Sequence, residues 1–114
     1  MSNDTGTVHE RYANTGFVAL CRDKPNGAEL RREATAAHLA YIEEIMDRLN
    51  LAGPMFDDAG EQMIGSMYCF RTKNAQEALE LLQNDPYYKA GIFESVELRP
   101  FLPAAGDYVG GKIW

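Results

Sequence analysis

A chain of 114 residues with 46% hydrophobic and 25% charged side chains suits one globular domain with a modest core, and is too evenly mixed for a disordered or fibrous segment. Its net charge of −6 repels phosphate backbones and anionic lipid heads, and the only basic cluster is Arg31-Arg32, so no nucleic-acid partner and no membrane partner is expected. No run reaches the roughly 20 apolar residues of a bilayer span, and Met1-Ser2-Asn3-Asp4-Thr5-Gly6 lacks the basic-then-apolar order of a secretory leader, so a cytoplasmic location is expected.

Residues 1–15 are polar and aperiodic and read as a flexible arm. Gly16 to Arg22 is a short apolar run, the first strand. Asp23-Lys24-Pro25-Asn26-Gly27 is turn chemistry: Pro presets φ, and Asn and Gly tolerate positive φ. From about Ala28 to Leu49 the chain is rich in good helix formers and free of interior Gly and Pro, with Leu30, Ala34, Tyr41, Ile45 and Leu49 near helical spacing. Leu51 to Phe56 reads as a strand whose Gly53-Pro54 implies an edge or a bulge. Asp57 to Glu61 is a hairpin loop, and Met63 to Thr72 a third strand. Asn74 caps a second helix, with Glu77 placed as its capping-box partner and Ala75, Ala78, Leu79 and Leu82 on the inner stripe. Ser95 to Phe101 is the fourth strand. Residues 103–114 form a Gly-rich tail whose Tyr108, Val109, Ile113 and Trp114 are expected to pack on their own or a partner subunit.

The order β-α-β-β-α-β matches the ferredoxin-like arrangement: α+β, a four-stranded antiparallel sheet with both helices on one face. The uncovered face of such a sheet ordinarily alternates in polarity. Here the first and third strands, central in this topology, are apolar on both parities, with Val18 and Leu20 opposing Phe17, Ala19 and Cys21, and Met63, Met67 and Cys69 opposing Ile64, Tyr68 and Phe70. A second copy packed sheet to sheet covers such a patch, so a homodimer through the open face is expected; the tail folding over that face is the alternative.

Cys21 and Cys69 sit in apolar runs and read as small hydrophobes; a disulfide between them requires neighbouring strands. The only histidines are His9 and His38, and no CxxC or HxxxH spacing occurs, so neither a metal nor a cofactor is expected.

His38 shares a helical stripe with Ile42, Ile45 and Leu49. It reads either as a core histidine bonded to a backbone carbonyl or as a group that moves protons. Asp85 before Pro86 is the pattern of a helix N-cap with Pro at the first position. One carboxylate oxygen can cap while the other faces an imidazole, so both readings stay open. Arg31, two turns before His38, has a fork that suits a substrate carboxylate, or pairs with Glu29 or Glu33. Tyr41 lines the cleft or packs in the core. Tyr87 and Tyr88 close the pocket or decorate a turn, and Gly53 and Pro54 shape the rim. Ser66 is the one aliphatic hydroxyl inside the third strand before its end, and no GxSxG elbow surrounds it, so nucleophilic hydrolysis is disfavoured.

His38-Leu39-Ala40-Tyr41-Ile42, Ala52-Gly53-Pro54, Asn84-Asp85-Pro86-Tyr87 with Ala90-Gly91, and Val96-Glu97-Leu98-Arg99-Pro100-Phe101, in that order over about residues 16–102, resemble the YciI-like (YCII-related) family of the dimeric α+β barrel superfamily. The resemblance implies a ferredoxin-like subunit, a dimer and a cleft centred on a His–Asp pair, here His38 and Asp85. Where many relatives carry a basic residue shortly before that histidine, this chain has Thr35. Chloromuconolactone dehalogenases, muconolactone isomerases and small monooxygenases lie in the same superfamily. The expected function is therefore His38–Asp85 acid–base chemistry of isomerase, lyase or dehalogenase type on a small lactone or organic acid. The alternatives are a non-catalytic ligand-binding or accessory module, and a cofactor-free monooxygenase, which would consume oxygen.

Overall fold

The structure is a computed structural model and describes residues 16–112. The arm over 1–15 and the tail residues Ile113 and Trp114 lie outside the described residues. The elements are β1 (Gly16–Asp23), α1 (Gly27–Glu44), a 3-10 turn (Met46–Arg48), β2 (Leu49–Phe56), β3 (Met63–Phe70), α2 (Ala75–Gln83), α3 (Pro86–Lys89) and β4 (Phe93–Phe101). The tail adds β5 (Ala105–Gly106), a 3-10 turn (Asp107–Val109) and β6 (Gly111–Lys112). β1 to β4 form one antiparallel sheet in the order β2-β3-β1-β4, the ferredoxin-like topology.

Register decides which side chains share a face. Phe17 lies opposite Phe70, Ala19 opposite Tyr68 and Cys21 opposite Ser66, so these six point the same way. Phe17, Ala19, Cys21, Tyr68 and Phe70 join Ile45 of α1's C-terminal end and Ala78 and Leu82 of α2 in one buried cluster. The other parity, with Val18 opposite Cys69 and Leu20 opposite Met67, faces away from the helices. Leu20 is exposed there. The tail runs beside this face: Pro103 to Gly106 and Tyr108 share a groove with Val18, Leu20, Leu51 and Met67.

Several local readings change, among them the third strand, which ends at Phe70 rather than Thr72, and Ala75, which is exposed rather than on the inner stripe of α2. The first helix stops at Glu44, not Leu49. Ile45 and Leu49 keep helical spacing, but the Met46–Arg48 turn bends the chain, and Leu49 already pairs with Phe70 as the start of β2. Asn74 does cap α2, its side chain accepting from the Glu77 amide at 3.0 Å, yet Glu77 does not return to the cap. The Thr72 hydroxyl accepts from the Asn74 amide at 3.2 Å and donates to Glu77, which also pairs with Arg48. The fourth strand begins two residues early, at Phe93.

Cys21 and Cys69 are on neighbouring strands, but one faces the helices and the other the open side, and both are free thiols. Burial, with the charge of Asp85 adding to it, pushes the Cys21 thiol up to about 12. A raised thiol pKa leaves its full stability in place below the ordinary value of 9.0 and removes it as pH climbs toward about 12. Burial and Asp85 raise the Tyr68 hydroxyl in the same sense. Urea midpoints should therefore fall steadily above pH 9.0; a flat profile there would contradict the burial of both groups.

Candidate active site

The helix side of the sheet opens beside β2 into a cavity of about 560 Å³ between α1, β2, the start of β3 and Tyr87, within the size range of small-molecule sites. His38, Arg31, Ser66, Gly53, Pro54 and Tyr87 all line it. Gly53 and Pro54 reach it because β2 is an edge strand, the place in a sheet where a residue without an amide hydrogen is tolerated.

Asp85 is fully buried at the base of this region. Its backbone is extended, Pro86 takes the first position of α3, and Oδ1 accepts from the Tyr87 amide at 2.9 Å. The same carboxylate meets His38 Nδ1 at 2.8 Å through Oδ1 and 2.9 Å through Oδ2. Oδ2 also accepts from the Tyr68 hydroxyl at 2.6 Å. Three donors from three segments thus converge on one side chain. Gly91 closes the short helix with a φ of +74°, a conformation open to glycine at low cost.

His38 is held by this carboxylate and by a ring. Tyr87 stacks on the imidazole with centroids 3.7 Å apart and planes within 4°. With Nδ1 engaged by Asp85, Nε2 has no protein partner among the described residues and is the nitrogen left for the cavity. A carboxylate at Nδ1 selects the tautomer that carries its proton there, which turns the Nε2 lone pair of the uncharged ring toward the cavity.

Arg31 does not pair with Glu29 or Glu33, and its fork is not open for a substrate carboxylate. Asp23 fills it, accepting from Nε at 2.7 Å and Nη2 at 3.0 Å, with both side chains 5% exposed. Asp23 comes this close because Gly27 has no side chain: a Cβ there would stand 2.8 Å from the Asp23 Cβ. Nη2 also donates to the Ser66 hydroxyl at 2.8 Å. The guanidinium carbon lies 4.9 Å from the Tyr87 ring centroid. Burial works to lower the Arg31 pKa, but the bonds and charge of Asp23, with Tyr87, override it and the net shift is upward.

Tyr41 is a correction. It packs against the core cluster, its hydroxyl donates to the Leu81 carbonyl at 2.7 Å, and it is not among the cavity-lining residues. Three positions after His38, the helix turns this side chain away from that of His38, and it meets Leu81 of α2. Tyr88 stays at the surface and does not line the cavity. Asp23, Met63 and Tyr68 belong to the site region without any sequence signal that marked them, and Thr35, which stands where many relatives carry a basic residue, joins them. Thr35 lies 3.3 Å from the Tyr87 hydroxyl. Among the described residues, no group of His, Cys, Asp and Glu is arranged to hold a metal ion, and no helix is long and apolar enough to cross a membrane.

A one-sided ferredoxin-like sheet with an imidazole–carboxylate pair opening on a cavity defines a protein of the α+β barrel class. The chain belongs to the YCII-related domain family, which matches residues 15–102. Protein YciI of Escherichia coli O6:H1 (strain CFT073) is 32% identical over 92 residues, covering 75% of this chain and 94% of its own length. An uncharacterized protein of Haemophilus influenzae (strain Rd) matches to the same extent. Among solved structures, 5-chloro-2-hydroxyhydroquinone dehydrochlorinase (TftG) from Burkholderia phenoliruptrix AC1100, in complex with 2,5-dihydroxybenzoquinone, superposes with a TM-score of 0.71. It is 26% identical, with 82% of this chain and 97% of that one covered.

Proposed function

We propose that the protein is a small-molecule enzyme in which His38 transfers protons and Asp85 orients and charges it, acting on a small hydroxylated or carbonyl-bearing ring. The observation that carries this reading is the His38–Asp85 contact at 2.8 and 2.9 Å, with Nε2 left to a cavity of about 560 Å³. Nε2 takes a proton from a hydroxyl, or from carbon beside a carbonyl. The released electron pair closes a double bond. Where the ring has taken its keto form, with a proton added at the carbon that bears chlorine, the pair closes the double bond to that saturated carbon, the C–Cl bond breaks and chloride leaves with its bonding pair. Without a leaving group, the proton returns at another carbon and the result is isomerisation. Asp85 stabilises the imidazolium formed in between, and such proton transfer contributes roughly 10²–10⁴-fold. The likeness to a dehydrochlorinase over most of both chains favours elimination. Chloride release from 5-chloro-2-hydroxyhydroquinone, followed by ion chromatography, tests it. Turnover above the spontaneous rate is expected; saturable binding with no chemistry on any chlorinated hydroquinone would leave a binding module instead.

The working unit we propose is a homodimer through the open face of the sheet. Val18, Leu20, Met67 and the groove beside the tail leave apolar surface there. Light scattering should give twice the 12.7 kDa chain mass; a stable single-chain species would remove the dimer.

A further inference from the structure

Ser66 is 5% exposed and lines the cavity. Its only hydrogen-bond partner among the described residues is Arg31 Nη2, at 2.8 Å. A guanidinium nitrogen only donates, so the Ser66 oxygen accepts and its own hydrogen is left without an acceptor. Arg31 cannot swing away to change this, because Nε and Nη2 are both fastened to Asp23. Its remaining nitrogen, Nη1, meets the Met63 sulfur at 4.0 Å, a weak acceptor at long range, while the Tyr87 hydroxyl, which also supports the guanidinium, is shared with Thr35 at 3.3 Å. Two donors without strong acceptors, one of them polarised by a guanidinium, therefore stand together on the cavity wall.

We propose that the Ser66 hydroxyl and Arg31 Nη1 form an oxyanion-type donor pair that receives a single carbonyl or ring-hydroxyl oxygen of the substrate as negative charge builds on it. This deepens the acid–base reading above and rests on it for the reaction, though not for the binding. Removing a proton from a carbonyl compound places charge on the oxygen, and donors already aimed at that oxygen lower the barrier without reorganising. Spacing agrees. Ser66 is one same-face step along β3 from Tyr68, roughly 7 Å, and the Tyr68 hydroxyl touches the carboxylate that holds His38. Along α1, Arg31 is two turns from His38, roughly 10 Å. A monocyclic compound with its substituents spans that interval.

The charge balance selects the ligand class. Asp23 already neutralises Arg31 inside a nearly dry contact, so this end of the cavity offers directed N–H and O–H donors rather than net positive charge. It favours a neutral ring that gains charge on one oxygen over a preformed carboxylate, which would add a second anion beside Asp23. Ser66 then touches the substrate, whereas Asp23 acts through Arg31 and positions it.

The test uses para-nitrophenolate as the mimic of a ring oxyanion and para-nitrobenzoate as the carboxylate control, titrated against the full chain at mildly alkaline pH by absorbance and calorimetry. Wild-type protein should bind the phenolate at least tenfold more tightly than the benzoate. Ser66→Ala should lose at least tenfold of the phenolate affinity, the usual size for a hydrogen bond to a charged acceptor. Ser66→Thr, which keeps the hydroxyl, should restore it. If Ser66→Ala does not fold, Ser66→Cys takes its place, with the thiol as the weaker donor. Equal affinity in Ser66→Ala or its Cys substitute, a benzoate bound as tightly as the phenolate, or no phenolate binding at all, overturns the donor pair. Chloride release reads the other reading separately: its absence with the phenolate pattern intact removes the reaction and leaves the donor pair.

Discussion

Asp85→Ala should lower stability by about 3–5 kcal/mol, in the range seen when one member of a buried charged contact is removed. Three donors lose their acceptor at once. The Tyr68 hydroxyl, 2.6 Å from Oδ2, is left in a position with 1% exposure, and an orphaned buried donor costs about 1–3 kcal/mol. The α3 cap goes with the bond to the Tyr87 amide, about 1 kcal/mol more. His38 Nδ1 loses the contact that orders its ring. For a domain of this size the thermal midpoint should fall by more than about 10 °C. Asp85→Asn should be milder in stability, since the amide oxygen still caps α3, but its NH₂ turns a donor toward the remaining donors. Thermal and urea melts of the two variants decide this. An alanine variant as stable as wild type would mean the carboxylate is not the buried hub described here.

His38→Gln should separate function from folding. The imidazole is 15% exposed, and what the fold loses with it is mainly the stack on Tyr87 and one contact with Asp85. The stack contributes about 0.5–1.5 kcal/mol, and a glutamine amide can still donate toward the carboxylate. Fold and melting profile should therefore change little. Turnover should fall by roughly 10²–10⁴-fold, because nothing else in the cavity is placed as a base at that atom. Chloride release and a melting curve on the same preparation measure both. Full activity in a folded His38→Gln protein would remove His38 from the chemistry; collapse of the fold would make it a core histidine.

Features set by neighbouring residues were legible in the sequence. The Asn74 cap and the Asp85-Pro86 start of α3 depend on one side chain and amides two or three residues on. The order β-α-β-β-α-β placed β1 and β3 at the centre of the sheet. Contacts between distant segments were not legible from pattern alone. His38 and Asp85 are 47 positions apart, and what joined them in advance was likeness to a family. Tyr68 was hidden because β3 is apolar on both faces, so alternation gave no way to mark its hydroxyl as the one aimed at a carboxylate. Asp23 read as turn chemistry, and nothing local showed that Gly27 makes room for it beside Arg31. The end of α1 was misread because Ile45 and Leu49 continue a helical rhythm through a bend.

The cavity rim has a consequence for what enters it. β2 is the outermost strand on its side, and at Pro54 its backbone offers no N–H. An extended peptide, or the frayed strand of another molecule, would zip onto such a margin through a run of main-chain bonds, and here the run is interrupted at the doorway itself. The entrance is thus poorly suited to polypeptide guests and to runaway stacking of subunits, while a compact solute passes it without needing any of those bonds.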